Sequence, residues 1–212
     1  METRLTAVEL YFLGKQLHAK YIDYAYIAAM DDIQENFNLR SKETLAELVK
    51  KGILEEDFSG KITINQGAER LLTPIFFGEK ESSVDVCWLK EPKRVDIFKF
   101  HFFDDRITMV TGVEHELLVK EIDVSFFEPF VKELADKHKD INNTLTEIDS
   151  EKVLSFIAVK HVTLNSHSYV KTFINIEDVI YESSDEGLLK SVMKSGFVTQ
   201  VVNVLRGETN GV

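Results

Sequence analysis

The chain has 212 residues, 44% of them apolar and 29% charged, the balance of an ordinary globular protein long enough for one domain or two small ones. A single cysteine, Cys87, excludes an internal disulfide and every multi-cysteine metal site. The formal net charge of -11 weighs against a nucleic-acid partner, because that affinity comes largely from Lys and Arg displacing counterions along the phosphates.

The N-terminal METRLTAVEL lacks the basic segment and long apolar core of a signal peptide. No apolar run approaches the ~18 residues needed to cross a bilayer, so a cytoplasmic chain without membrane insertion is expected. Thr6-Ala7-Val8-Glu9 forms a capping box, with Leu5 and Leu10 placed as a hydrophobic staple, and Leu10, Leu13 and Leu17 recur on one face. Residues 21–38 read as a second helical region with Ile27, Met30, Ile33 and Phe37 as its buried stripe. Ser41 is placed to cap a third helix that turns Leu45, Leu48 and Val49 inward and ends at Gly52. A hairpin turning at Ser59-Gly60 leads into the short strand of Ile62 and Ile64, and Asn65 caps a fourth helix that runs towards Pro74. Residues 1–80 therefore read as a helical, winged-helix-like segment.

That cadence grips DNA in many small regulators, but the local charge opposes it. From Asp31 to Phe58 there are eight acidic residues against four basic ones (Arg40, Lys42, Lys50 and Lys51), and the wing opens with Glu55-Glu56-Asp57.

Residues 81–212 change to alternating periodicity. VDVCWLK, RVDIFKFHFF, RITMVTGV and HELLVKEID follow one another, with turns at Glu91-Pro92-Lys93, Asp104-Asp105 and near Glu114, which is the pattern of an antiparallel meander. In the second of these strands Val95 and Ile97 point one way while Phe98, Phe100 and Phe102 point the other, which requires a bulge or two covered faces. A helix follows in SFFEPFVKELADKH, with Phe126, Phe130, Val131 and Leu134 inward. It begins with a Ser125/Glu128 capping box or with Pro129 at its first position. After the polar link KDINNTLTEIDS come VLSFIAVKHVTL and YVKTFINI, turning at Asn165-Ser166-His167-Ser168, and a last helix around FVTQVVNVL that ends at Gly207. The class is α+β, an antiparallel sheet with flanking helices, and the order of strands then helix, met twice, hints at pseudo-duplication. The two parts are expected to form one integrated globular unit.

Chemistry-bearing motifs are scarce. The ten glycines form no phosphate loop, and the six histidines include no HExxH or HxH. His161 and His167 read as solvated turn histidines, Glu114-His115-Glu116 and Asp104-Asp105 as turns, and Cys87 as a buried, inert thiol beside Trp88. No metal, cofactor or catalytic residue is expected. The adjacent aromatics Phe102-Phe103 cannot both face one core, so either the sheet is covered on both sides or one ring is offered as a docking surface.

The stretches LTAVELYFLGKQL, LAELVKKGIL, DFSGKITINQGAERLL and TPIFFGEKE resemble the start of the EspG-like proteins of type VII (ESX) secretion systems, with the closer likeness to the Firmicutes branch that includes EsaE. Over residues 5–80 the likeness is in wording, and beyond them in element order. The resemblance implies the EspG-like fold and a bacterial, cytoplasmic, non-enzymatic chaperone or adaptor. Such a protein binds a secreted helical substrate or toxin before export. It brings no catalytic residue and no cofactor. The family's hairpin loops contact substrate, and by position these are Lys93, Arg94, Asp104, Asp105 and Arg106, with Trp88 and Phe103 behind them. The alternative from the residues alone is a winged-helix regulator with an α+β ligand-sensing domain, which needs a basic stripe through Arg40, Lys42, Lys50 and Lys51. A small enzyme with scattered site residues would need a deep pocket of converging titratable groups.

Overall fold

A computed structural model of the chain describes residues 1–19, 22, 23, 26, 37–90, 92–113, 116–166, 168–184 and 188–208, with residues 37–40 described by backbone alone. The expected helix over 21–38, the turn at Glu114-His115 and His167 lie largely or wholly outside them. The chain divides into two compact units, residues 1–79 with 101–121 and residues 80–100 with 122–212. The class is α+β.

In the first unit the strand β1 (Glu2–Leu5) leads directly into helix α1 (Ala7–Gln16). The capping box read from the sequence is present: Glu9 N–H donates to Thr6 Oγ1 at 3.1 Å and Thr6 N–H to Glu9 Oε2 at 2.7 Å. Lys51 Nζ approaches the same Glu9 carboxylate at 2.8 Å, so this buried acid is paired twice over. Helix α2 (Phe37–Lys50) starts earlier than expected, which places Ser41 inside it rather than at its cap. Gly52, at φ +69°, turns the chain out of α2 into a small hairpin of β2 (Leu54–Glu56) and β3 (Ile62–Ile64), with Leu54 opposite Ile64. Helix α3 (Gln66–Phe77) follows, its Asn65 cap accepting from Gly67 N–H at 2.9 Å. Leu10, Leu13, Leu48, Ile53, Leu71 and Phe76 bury themselves together with Leu5, Val110 and Val119. The last two belong to β6 (Arg106–Val113) and β7 (Glu116–Ile122), which lie beside β1 in the order β1-β7-β6. β1 was not anticipated, because its four residues read as a lead into the capping box. It pairs antiparallel with β7, Thr3 opposite Val119.

The second unit is built on the strand order β5-β4-β9-β10-β11-β12-β8: β4 (Lys80–Trp88), β5 (Arg94–Phe103, of which residues 94–100 belong here), β8 (Thr144–Leu145), β9 (Val153–Thr163), β10 (Tyr169–Ile176), β11 (Val179–Ser183) and β12 (Leu189–Ser191). β8, β11 and β12 extend the sheet beyond the strands expected. Glu177 and Asp178 both take positive φ (51° and 69°) between Ile176 and Val179, the two-residue primed turn of a tight hairpin, written here without the Asn-Gly that usually announces it.

Helix α4 (Phe127–Leu134) is preceded by a 3-10 turn over Val124–Phe126. Asp123, not Ser125, caps that turn, its Oδ1 accepting from Ser125 N–H at 2.8 Å, and α4 itself starts from Phe126 without a side-chain cap. Pro129 falls in the first turn of α4, where a backbone N–H has no intrahelical acceptor to lose. Helix α5 (Lys194–Arg206) ends at Gly207, φ +72°. Both helices lie on one side of the sheet. Phe98 and Phe100 meet Phe130 and Phe127 edge-on at 5.0 and 5.2 Å, and Phe173 meets Phe197 at 4.9 Å. Each such pair contributes about 0.5–1.5 kcal/mol beyond the area it buries.

Gly78, which closes α3, is required by crowding rather than by φ. A Cβ there would sit 2.4 Å from Pro74 O and 2.5 Å from Phe102 O, both backbone atoms that cannot swing aside. Gly78→Ala is expected to cost about 1–3 kcal/mol in urea unfolding, whereas Gly112→Ala, whose Cβ would meet nothing within 4 Å, stays near neutral.

Candidate partner-binding surface

The residues assigned to partner binding fall into two clusters, one in each unit. In the second unit the β4–β5 hairpin brings Trp88 and Arg94 together. The Trp88 indole N–H donates to Asp96 Oδ2 at 2.7 Å, Arg94 Nε lies 3.2 Å from the same carboxylate oxygen, and the guanidinium sits 5.5 Å from the indole ring centre. Asp96 was not singled out from the sequence, yet it holds both side chains in place. Lys93 is exposed at the turn beside them. In the first unit the β5–β6 turn carries Asp104 and Asp105, both exposed, with Asp104 at φ +52°. Arg106 lies over the Phe103 ring at 5.1 Å. Phe102 and Phe103 are both half-buried, so neither ring stands wholly free.

A larger feature was only half legible. Residues in register on neighbouring strands share a face, and the face of the second unit's sheet that meets α4 and α5 takes Val84, Val86, Ile157, Val159 and Phe173, all buried. The opposite face carries Cys87 opposite Phe156, Asp85 opposite Ala158 and Lys160 opposite Val170. There the apolar side chains stay in water: Val95 is 58% exposed, Ile97 42%, Phe156 37%, Val162 41% and Val170 53%. Two cross-strand ion pairs lie among them, Lys160–Asp85 at 2.7 Å and Lys99–Glu81 at 3.1 Å. The face is therefore apolar with its charges already matched. Cys87 is half-buried on it rather than fully buried. The slipped phase in β5 is explained without a bulge, since Phe98 and Phe100 sit under α4 while Val95 and Ile97 lie on the open side. The sequence signal for β9 was the same: in VLSFIAVKHV both alternating phases are apolar.

Neither surface assembles a nucleophile with a base. Among the described residues no group of three or more His, Cys, Asp or Glu could hold a metal ion, and no helix is long and apolar enough to cross a membrane.

No protein-family model matches the sequence, and no curated protein matches it. Among solved structures the chain is similar to the Mycobacterium tuberculosis type VII secretion system chaperone EspG5, in its complex with a PE25–PPE41 dimer, with a TM-score of 0.63 over 97% of each chain and 9% identical residues. A match of that extent at so low an identity is a likeness of fold, and the chain has the EspG-like fold that its opening stretches resemble.

On the helix-covered side of the second unit's sheet, His161 corrects the reading of a solvated turn histidine. It is buried, its Nδ1 lies 2.7 Å from Ser82 Oγ, and Ser82 Oγ donates to Leu205 O at 2.9 Å. With the serine proton committed to Leu205, the Nδ1–H of a neutral ring donates to Ser82. Its Nε2 faces Gly207, where a Cβ would come within 2.7 Å. Burial, and after it the charge of Lys80, pushes the His161 pKa below its ordinary 6.5. Burial also lowers His138. Below that pH the unfolded chain takes up protons that the folded chain resists, so stability falls as pH drops. Urea midpoints are expected to decline from pH 7.5 to 5.5, and His161→Asn to flatten that decline, since its amide keeps a donor near Ser82 without titrating.

Proposed function

We propose that this chain is a non-enzymatic bacterial chaperone that holds a helical, secreted substrate of a type VII secretion system in the cytoplasm before export. The observation that carries this reading is the open face of the second unit's sheet. Five large apolar side chains stand in water there, on a chain that shares its fold with a secretion chaperone solved with a bound dimer. Strands β5, β4, β9 and β10 run side by side, and at about 4.8 Å between neighbours they make a face about 14 Å across. That width accepts two helices packed about 8–10 Å apart, which favours a helical hairpin as the occupant. Covering the face would return about 25 cal/mol for each Å² of apolar area removed from water. The matched ion pairs can stay intact beneath the substrate, so binding need not strip any charge of its partner.

The hairpin tips extend this reading. By the resemblance, the hairpin-loop residues that contact substrate are Lys93 and Arg94 with Trp88, and Asp104, Asp105 and Arg106 with Phe103. At both tips an arginine already lies over an aromatic ring, Arg94 at 5.5 Å from the Trp88 ring centre and Arg106 at 5.1 Å from that of Phe103, which reduces the side-chain freedom lost on binding. In this reading the winged-helix-like segment is scaffold. Its hairpin exposes Glu55, Glu56 and Asp57, the wrong sign for a phosphate backbone, which disfavours the regulator.

The test uses purified chain and a helical type VII substrate. Val170→Glu and Ile97→Glu, both on the open face, are expected to weaken binding by roughly 10- to 100-fold in calorimetry while the circular dichroism spectrum is kept. Unchanged affinity in both variants would remove the sheet face from the substrate site.

A further inference from the structure

The β2–β3 hairpin of the first unit carries a side chain that none of the foregoing uses. Phe58, at its tip, has a relative exposure of 114%, so its ring touches nothing. A covered Phe ring buries roughly 150–250 Å², and leaving all of it in water on a floppy loop would be unremarkable. This loop is not floppy. Asp57 Oδ1 accepts from Ser59 N–H at 2.8 Å, Ser59 O–H at 2.6 Å and Lys61 N–H at 3.0 Å. Asp57 N–H donates to Lys61 O at 3.0 Å and Gly60 N–H to Asp57 O at 2.9 Å, with Gly60 at φ +79°. The Ser59 hydroxyl first, then the Lys61 and Ser59 amides, hold the Asp57 carboxyl below its ordinary pKa, so the charge that organises the turn persists in mild acid. The base of the hairpin is fixed by Leu54, 1% exposed in the core and opposite Ile64.

The collar of this ring is acidic. Glu55, Glu56 and Asp57 immediately precede it in the chain and are all exposed, and Lys61 is the single cation from residue 54 to residue 64. A preorganised aromatic pin in an acidic collar discriminates among partners. Phosphate backbones and anionic membrane surfaces are repelled by the same charges that attract a basic rim. Aromatic anchors seated in a partner's pocket dominate many interfaces, and a rigid tip has already lost the freedom that binding would otherwise remove.

We propose that Phe58 anchors a second protein partner, one that offers an apolar pocket of aromatic size rimmed by Lys or Arg. The proposal goes beyond the chaperone reading, because the hairpin contains no residue assigned to the substrate and stands whether or not that reading holds.

The experiment places the photoreactive p-benzoylphenylalanine at position 58 of the full chain, irradiates the cells that natively carry it, and maps the adduct by mass spectrometry. The expected result is one protein adduct, cross-linked at an apolar pocket flanked by Lys or Arg. With that partner purified, Phe58→Ser and Glu56→Lys should each weaken binding at least roughly tenfold, and Phe58→Trp should preserve it. Binding of the exported substrate should be unchanged in all three variants. The proposal is overturned by no protein adduct, by an adduct to lipid, nucleic acid, a second copy of the chain or the substrate itself, or by affinity that neither weakening substitution moves. Loss of substrate binding in Val170→Glu with the Phe58 adduct intact would separate the two surfaces.

Discussion

A β-strand sends successive side chains to opposite faces, and in the second unit only one of those faces is given helices. The rest of that unit follows from this. Phe98 and Phe100 must lie under α4, Phe173 under α5, and the residues between them are left to face water. Val95, Ile97 and Val170 are therefore not failures of burial. They are the consequence of a strand whose two phases are both apolar when one side has no cover. Polar sheet faces are the usual outcome of such an arrangement. Here the open face is apolar and its charges are matched across strands, by Lys160 with Asp85 and Lys99 with Glu81.

How much of this was legible depended on the range of the signal. Several local signals survived: the Thr6/Glu9 capping box, the Gly52 and Gly207 stops and the Asn65 cap are written within four residues of the structure they make, whereas the caps read at Ser41 and Ser125 gave way to a helix that begins at Phe37 and to Asp123. The strands β1, β8 and β12 have four, two and three residues, too short for a periodicity to register, and they exist because a neighbour lends them hydrogen bonds. β11 was hidden by a turn spelled Glu-Asp. His161 was misread because its environment comes from residues 79 and 44 positions away, Ser82 and Leu205, and no window along the chain contains them. Of the candidate surface, the positions around Trp88 and Phe103 came from the family resemblance and not from any periodicity in the chain. The organising Asp96 and the breadth of the open face emerge only once the strands are in register.

The charge of the chain takes on a different meaning beside this surface. A protein at -11 repels other copies of itself, which matters for one that leaves apolar area in water. In the proposed reading that apolar area is met by a helical hairpin whose width matches the four strands.

The outermost strands carry a further consequence. β1 stops after four residues and β8 after two, so each presents a very short row of backbone groups at the margin of its sheet. Long, flat margins are templates on which sheets of different molecules stack into fibrils, and brevity is one way that proteins deny them length. The chain thus exposes adhesive area where side chains meet side chains, and withholds it where backbone could join backbone. Crowding at high abundance would then favour reversible encounters over irreversible growth.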